Sequence, residues 1–227
     1  IPCFYHDPAP CMSEGDNILC GFREERFTRV NFDNSFPINS IRECLAYAGL
    51  NLSPLTCISS YETPSLPLDR IINTSLRYGK NPFKKSENIV NWFSNKFKIE
   101  NYIRKELNFD GKLLFVKRQE SHAAATFYPS PFLEAGIITM DGVGEWSTTS
   151  IGVGENNSVK LLQDIRWPHS LGLFYSAFTY FLGFQVNEGE YKLMGLASFG
   201  KPKYYDLIWD NLIDVKEDGS IHQIGRA

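Results

Sequence analysis

The chain has 227 residues and a formal net charge of −3 at pH 7, with 43% hydrophobic and 22% charged residues. This length suits one large domain or two small ones, and this composition excludes a disordered chain. Because duplex nucleic acid is bound by clustered Lys and Arg, a mildly acidic chain without a basic run is not expected to bind it. The sequence starts without Met and closes on no recognisable element, so we expect a fragment of a longer protein.

The five cysteines and one uncharged stretch bear on the compartment. No two cysteines form a CxxC pair, so we expect small buried side chains in a reducing cytosol and no thiolate zinc site. No signal peptide pattern opens the chain. Residues 167–187 carry no Asp, Glu, Lys or Arg, but the apolar part at 171–184 is too short to span a bilayer. We therefore predict a buried core helix there, no membrane partner and a cytoplasmic protein.

Apolar periodicity predicts an α/β fold, because strands and helices alternate from the start. In the first half it predicts a strand at 17–22, a helix at 40–48, a strand at 55–61, helices at 68–78, 86–97 and 99–107, and a strand at 113–116. In the second half it predicts a helix at 119–128, strands at 135–140, 147–153 and 159–165, helices at 170–182 and 204–212, and turns from 215. The helices between about 66 and 107 have the pattern of an inserted helical region.

Two histidines lie near acidic side chains. His6 precedes Asp7, and a carboxylate can orient a histidine as a general base. Neighbouring residues of a strand face opposite sides, however, so a structural or surface role is the alternative for His6. His122 on the predicted helix and Asp141 at a strand end suit iron, zinc or manganese. One helical turn before His122 stands Arg118, which cannot ligate a metal, so a non-ligand His122 is the alternative.

Two glycine-bearing segments have the pattern of anion-binding turns. Gly142 and Gly144 follow Asp141, and glycines let backbone N–H groups approach an anion. An ordinary glycine hairpin is the alternative. Gly189 and Lys192 belong to a second loop, from which the lysine can reach a phosphate. A solvated charge cluster is the alternative for this loop.

Seven short segments of the sequence are informative when they are taken together. They are residues 4–7 (FYHD), 24–27 (EERF), 120–124 (ESHAA), 128–132 (YPSPF), 140–146 (MDGVGEW), 168–172 (PHSLG) and 189–195 (GEYKLMG). Each segment alone is a weak signal. All seven in this order, nearly from end to end, resemble the amino-terminal domain of the O-carbamoyltransferases of nodulation-factor, cephamycin and aminoglycoside biosynthesis.

The resemblance implies an actin-like ATPase (ribonuclease H-like) fold, with 1–227 as the amino-terminal carbamoyl-transfer domain, incomplete and with a helical insertion at about 66–107. It implies that a carboxy-terminal domain, absent here, makes carbamoyl-adenylate from carbamoyl phosphate and ATP. The domain present would then move the carbamoyl group to a hydroxyl of a sugar-containing or secondary-metabolite acceptor. We expect the fragment alone to be inactive.

The resemblance also implies roles for individual residues. His6 matches the catalytic base of the family. His122 and Asp141 match two ligands of its divalent, iron-type metal. Gly142, Gly144, Gly189 and Lys192 fall in segments that would lie near the nucleotide.

Two departures from the family affect the metal ligands. The family has His where this chain has Arg118, and often has His where this chain has Gln119. We therefore predict well below one equivalent of bound iron, restored by Arg118→His. The accompanying hypothesis is that Arg118 contacts phosphate directly.

Two further departures lie in the first thirty residues. Val30 and Asn31 replace a basic run expected near the adenylate. Pro8 and Pro10 lie where a strand should follow His6, and proline confines a segment to a sheet edge or a bulge. The departures favour a rival interpretation, a non-catalytic nucleotide-binding or interaction remnant. A second rival is a sugar phosphotransferase of the same superfamily.

Overall fold

The computed structural model describes residue 1 and residues 7–61, 63, 65–78 and 99–224. Its contacts divide the chain into two compact units, Ile1–Val116 and Lys117–Ala227. His6 and the helix predicted at 86–97 lie outside the described residues. Most other predicted elements are confirmed within a few residues, and the chain is a mixed α/β protein with small sheets.

The first unit alternates short strands with helices. The described elements are β1 (Cys11–Glu14), β2 (Asn17–Gly21), α1 (Glu25–Thr28), α2 (Ile38–Tyr47), β3 (Cys57–Tyr61), α3 (Ser65–Tyr78), α4 (Ile99–Leu107) and β4 (Lys112–Val116). β3 and β4 pair in parallel, with Cys57 opposite Lys112 and Tyr61 opposite Val116. Helices lie between these two strands in the chain, as a parallel crossover requires.

The core of the first unit follows the helical spacing of α4. Ile99, Ile103 and Leu107 are four residues apart, so they lie on one face of the helix, and all three are buried. They pack in one cluster with Phe36 and Ile58, among others. The amphipathic period therefore determines which face of α4 is buried.

The two early prolines precede the first hairpin rather than interrupt it. β1 begins directly after Pro10 and pairs with β2 in antiparallel fashion. The carbonyl oxygens of Pro8 and Pro10 accept hydrogen bonds from the backbone N–H groups of Glu24 and Phe22 at 3.0 and 3.2 Å. The two carbonyls therefore extend the pairing of this segment, but neither proline has an N–H with which to donate a bond in return.

The second unit combines two antiparallel sheets with helices. Its described elements are α5 (Arg118–Phe127), β5 (Glu134–Met140), β6 (Ser147–Glu155), β7 (Ser158–Arg166), α6 (Leu171–Phe181), α7 (Glu190–Ala197), α8 (Tyr205–Leu212), β8 (Ile213–Val215) and β9 (Ile221–Gln223). The first sheet has the strand order β5-β6-β7, and β8 and β9 pair as the second. One face of β5 packs on α5 through Ala123, Phe127 and Ile137, which form a buried cluster.

Three predictions for the end of the chain need correction. The core helix predicted at 170–182 is only partly buried, since Tyr180 and Phe181 of α6 are exposed. Residues 190–197 form α7, so Lys192, predicted at the end of a loop, lies in a helix. The sequence pattern predicts turns from 215, but Ile213–Val215 and Ile221–Gln223 pair as the β8–β9 hairpin, because three-residue strands are too short to show an alternating pattern. No helix in the described ranges has the length and apolar character to cross a membrane.

The prediction of buried cysteines is confirmed for Cys44 but not for Cys11 and Cys57, which are exposed. Cys57 begins β3, where burial alternates, and Ile58 takes the inward position. Burial raises the pKa of Cys44 to about 12, so its thiol stays protonated. The four described cysteines are free thiols.

Candidate functional site

The candidate site is the loop at residues 141–146, which joins β5 to β6. The backbone N–H of Asp141 still donates to Thr148 at 2.8 Å, so the carboxylate stands where the β5–β6 pairing ends. The N–H of Gly142 donates to the Asp141 Oδ1 atom at 2.7 Å, and the N–H of Gly144 donates to the Ser147 carbonyl at 3.0 Å. The loop amides of both glycines are therefore used within the loop.

The first two turns of α5 face this loop. Arg118 and His122 are four residues apart, and both side chains reach Asp141, as expected for one helix face. The Arg118 Nε atom lies 2.6 Å from Asp141 Oδ2, and Nη2 lies 3.4 Å from Oδ1. The His122 Nε2 atom lies 3.4 Å from Oδ2. Arg118 is therefore the nearer of the two partners of Asp141.

The carboxyl group of Asp141 is held in its ionised form. Its burial acts to raise the pKa, but the hydrogen bond with His122, the charge of Arg118 and the Gly142 N–H together leave the pKa of Asp141 below its ordinary value. Asp141 is therefore a carboxylate throughout the physiological range.

Two residues that sequence reasoning did not assign to the site join α5 to the loop. Glu145 is buried, and its two carboxylate oxygens accept from the Arg118 backbone N–H at 3.1 and 3.2 Å, which satisfies one of the free amides at the start of the helix. Gln119 is also buried. It donates from Nε2 to the Ser147 carbonyl at 3.2 Å and accepts from Thr139 Oγ1 at 2.5 Å. The sequence indicates either role only weakly: Glu145 is a carboxylate after a glycine turn, and Gln119 is a polar residue at an inward position of the helix.

The amino-terminus of α6 also contacts the loop. Ser170 caps this helix by accepting from the Leu173 N–H at 3.0 Å, and its Oγ lies 2.5 Å from the Gly142 carbonyl oxygen. Gly172 packs directly on the loop backbone, since a Cβ atom there would lie 2.5 Å from the Asp141 carbonyl oxygen. The beginnings of two helices, α5 and α6, therefore both contact the loop.

The second predicted glycine segment lies at the start of α7. Glu190, the first residue of α7, accepts from Ser176 Oγ at 2.7 Å, which ties α7 to α6. Gly189 precedes the helix and packs tightly, since a Cβ atom would lie 2.5 Å from Phe184. Lys192 is exposed. Within the described ranges, no hydrogen bond or ion pair joins Gly189 or Lys192 to the loop at 141–146.

The metal implied by the resemblance does not fit the site as it stands. Arg118 Nε is 2.6 Å from Asp141 Oδ2, which is also the oxygen that faces His122. A metal shared by His122 and Asp141 would need that oxygen. Among the residues that the structure describes, no three His, Cys, Asp or Glu side chains form a group that could hold a metal ion.

Comparison with known proteins identifies the family. Residues 1–226 match the family described as "Carbamoyltransferase N-terminus", and the chain belongs to this family. It is 44% identical over 229 residues to the uncharacterized protein sll1178 of Synechocystis sp., a match that covers 97% of this chain and 37% of that protein.

Two nodulation proteins are further relatives. The chain is 29% identical over 222 residues to nodulation protein NolNO of Sinorhizobium fredii, covering 95% of this chain and 31% of that protein. It is 30% identical over 104 residues to nodulation protein NolO of Bradyrhizobium diazoefficiens, a match that covers 46% of this chain and 19% of that protein. The chain therefore spans about a third of the length of the first two relatives.

Proposed function

We propose that the chain is the group-transfer portion of an O-carbamoyltransferase. In the proposed reaction a carbamoyl group moves from carbamoyl-adenylate, made from carbamoyl phosphate and ATP, to a hydroxyl of a sugar-containing or secondary-metabolite acceptor. The observation that carries the proposal is the family match over residues 1–226. Similarity to two nodulation proteins supports it.

The chemical step is nucleophilic acyl transfer. The acceptor hydroxyl oxygen forms a bond to the carbamoyl carbon, and the bond from that carbon to the phosphate oxygen of AMP breaks. His6, by its match to the family, takes the proton of the hydroxyl, and AMP leaves with the electron pair of the broken bond. His6 lies outside the described residues, so its role is a prediction from the sequence.

The loop at 141–146 is the proposed place for the nucleotide phosphate. Two helices, α5 and α6, begin beside it, and helix amino-termini favour negative charge. Gly142 and Gly144 would act there by leaving space beside the backbone, because their N–H groups already have partners. Gly189 and Lys192 remain proposed nucleotide contacts by their match to the family.

We also propose the architecture and surroundings that the resemblance implies. These are an actin-like ATPase fold, a helical insertion at about 66–107, an adenylate-forming carboxy-terminal domain and a cytoplasmic location. The mixed α/β content and relatives about three times longer support this proposal.

The full-length protein that contains this chain provides the test. Carbamoyl phosphate and ATP are supplied with a panel of hydroxyl acceptors, and the nucleotide products are separated. We expect AMP and pyrophosphate together with a carbamoylated acceptor. ADP with a phosphorylated sugar would instead identify a phosphotransferase.

Two observations favour a second candidate, a non-catalytic remnant that binds a nucleotide or a partner. Arg118 pairs with Asp141, and exposed Val30 stands where the family has positive charge. A remnant would bind ATP or its partner without forming AMP, so the same assay separates the two candidates.

A further inference from the structure

Both oxygens of the Asp141 carboxylate already face nitrogen atoms of the chain. Oδ2 faces Arg118 Nε at 2.6 Å and His122 Nε2 at 3.4 Å. Oδ1 faces the Gly142 N–H at 2.7 Å and Arg118 Nη2 at 3.4 Å. Neither oxygen is therefore free for a further partner unless one of these nitrogen atoms moves away.

The cation beside Asp141 is part of the chain itself. The Arg118 guanidinium keeps its charge at every physiological pH and binds carboxylates through two nitrogens. Its side chain is 13% exposed and that of Asp141 is 17% exposed, so water screens the pair only weakly. The backbone of Arg118 is held as well, because its N–H donates to the buried Glu145.

A divalent ion would compete with this pair for the same oxygen. Metal–oxygen bonds are about 2.0–2.2 Å long, so an ion bound to Oδ2 would lie against the guanidinium. The two positive charges would repel each other in a site with little water. Binding would therefore require Arg118 to leave Asp141.

We propose that Arg118 is a built-in cation that takes the place of a metal ion at Asp141, so that this site holds no divalent metal. Arg118 then acts as a positioning residue, because it holds the Asp141 carboxylate that His122 contacts. Helix α5 places positions 118 and 122 on one face. A histidine at position 118 would therefore complete a group of two imidazoles and one carboxylate.

Metal content of the full-length protein tests this proposal without reference to turnover. Wild type, Arg118→His, Arg118→Gln and the double variant Arg118→His/His122→Ala are exchanged into Co²⁺ and then dialysed. Metal is measured by elemental analysis, and ligation is followed by the visible absorption of Co²⁺. Because another domain can bind metal, wild type and Arg118→Gln set the background for the histidine variant.

We expect one additional equivalent of Co²⁺, with a new visible band, in Arg118→His alone. Arg118→Gln removes the guanidinium without adding a ligand, so it should match wild type, and the double variant should lose the band. A visible Co²⁺ band in wild type that Asp141→Asn abolishes would overturn the proposal. A folded Arg118→His protein without extra metal would overturn it too.

If Arg118→His does not fold, the proposal is tested by thermal unfolding of wild type and Asp141→Asn, each with and without Co²⁺. The proposal requires that Co²⁺ change the melting temperature of the two proteins by the same amount. A metal-dependent rise seen only in wild type would show that Asp141 binds the ion. Metal content and melting temperature can be measured whether or not the protein transfers a carbamoyl group. The proposed function and the proposed metal-free site can therefore be refuted independently of each other.

Discussion

Two buried carboxylates from different motifs show how single residues organise the chain. Glu24, in the EERF segment, is 1% exposed and accepts from the backbone N–H groups of Asn39 and Ser40 at 3.2 and 2.8 Å and from Ser40 Oγ at 2.6 Å. These residues open α2, whose N-cap residue is Pro37 and supplies no side-chain cap. Glu24 therefore caps α2 from a distant segment, as Glu145 does for α5.

Replacing Glu24 by glutamine should weaken the first unit. Glutamine keeps the shape but loses the charge and turns an NH₂ group toward N–H donors, so we expect a loss of about 1.5–3 kcal/mol in the free energy of unfolding. Urea unfolding provides the measurement. Glu25→Gln is the matched control, since Glu25 pairs with exposed Arg23 and its loss should stay within about 0.5 kcal/mol. Equal losses in both variants would contradict the capping role of Glu24.

At the scale of elements, the contact between α6 and the loop at 141–146 is made through backbone. A Cβ atom on Gly172 would lie 2.5 Å from the Asp141 carbonyl oxygen and 2.7 Å from the Gly142 nitrogen. No rotamer change can relieve such contacts, because backbone atoms make them. The beginning of α6 and the position of Asp141 are therefore coupled.

Gly172→Ala should destabilise the second unit by about 1–3 kcal/mol, the usual cost of overpacking. Chemical denaturation measures it. Gly136→Ala is the control, because Gly136 lies in β5 with open space at its Cβ position. We expect that variant to be as stable as wild type or slightly more so. A tolerated alanine at position 172 would show that α6 can move away from the loop without cost.

The β8–β9 hairpin is joined to the start of α6 through a histidine pair. The His169 and His222 rings lie 4.6 Å apart, and the Gln223 N–H donates to His169 Nδ1 at 3.2 Å. Burial, and then the neighbouring His222, lower the pKa of His169 below its ordinary value. The neutral ring is therefore the form that the fold prefers.

This preference predicts an acid-sensitive contact. Because the folded pKa is below the unfolded one, the stabilisation is present above the ordinary histidine pKa of about 6.5 and is lost as pH falls below it. Thermal unfolding between pH 8 and about pH 5 measures this. His169→Asn, which keeps an acceptor near Nδ1, should flatten the profile. His222→Gln should flatten it only in part, since burial is the larger cause. If His169→Asn shows the same dependence of thermal stability on pH as wild type, another group causes the acid sensitivity.

At the scale of the whole molecule, the chain corresponds to about a third of the relatives that it matches over nearly its full length. In the proposed function the adenylate is made by the remaining part. We therefore predict that the isolated 227-residue chain forms no carbamoylated product from carbamoyl phosphate and ATP, whereas the full-length protein does. Product analysis by mass spectrometry checks this. Measurable carbamoyl transfer by the isolated chain would refute it.

Much of this organisation can be read from local patterns. The spacing of Ile99, Ile103 and Leu107 predicts the buried face of α4, and Ser170 before an apolar run predicts a helix start. The short strands β8 and β9 and the polar helix start at Glu190 were missed, because their patterns are too short or too mixed. The partial burial of α6 could not be predicted either, because an apolar helix sequence does not show which other elements pack against the helix.

The sequence alone determined that Arg118 and His122 share a helix face, that Asp141 ends a strand, and that the motifs occur in the order of one family. Only the tertiary structure decided which side chains meet. The guanidinium of Arg118 lies on Asp141, 23 residues away, and Glu24 reaches Ser40 across 16 residues. Helical and strand periods specify the direction of a side chain within its own element. The partner in each case comes from another segment, whose approach depends on how the elements pack.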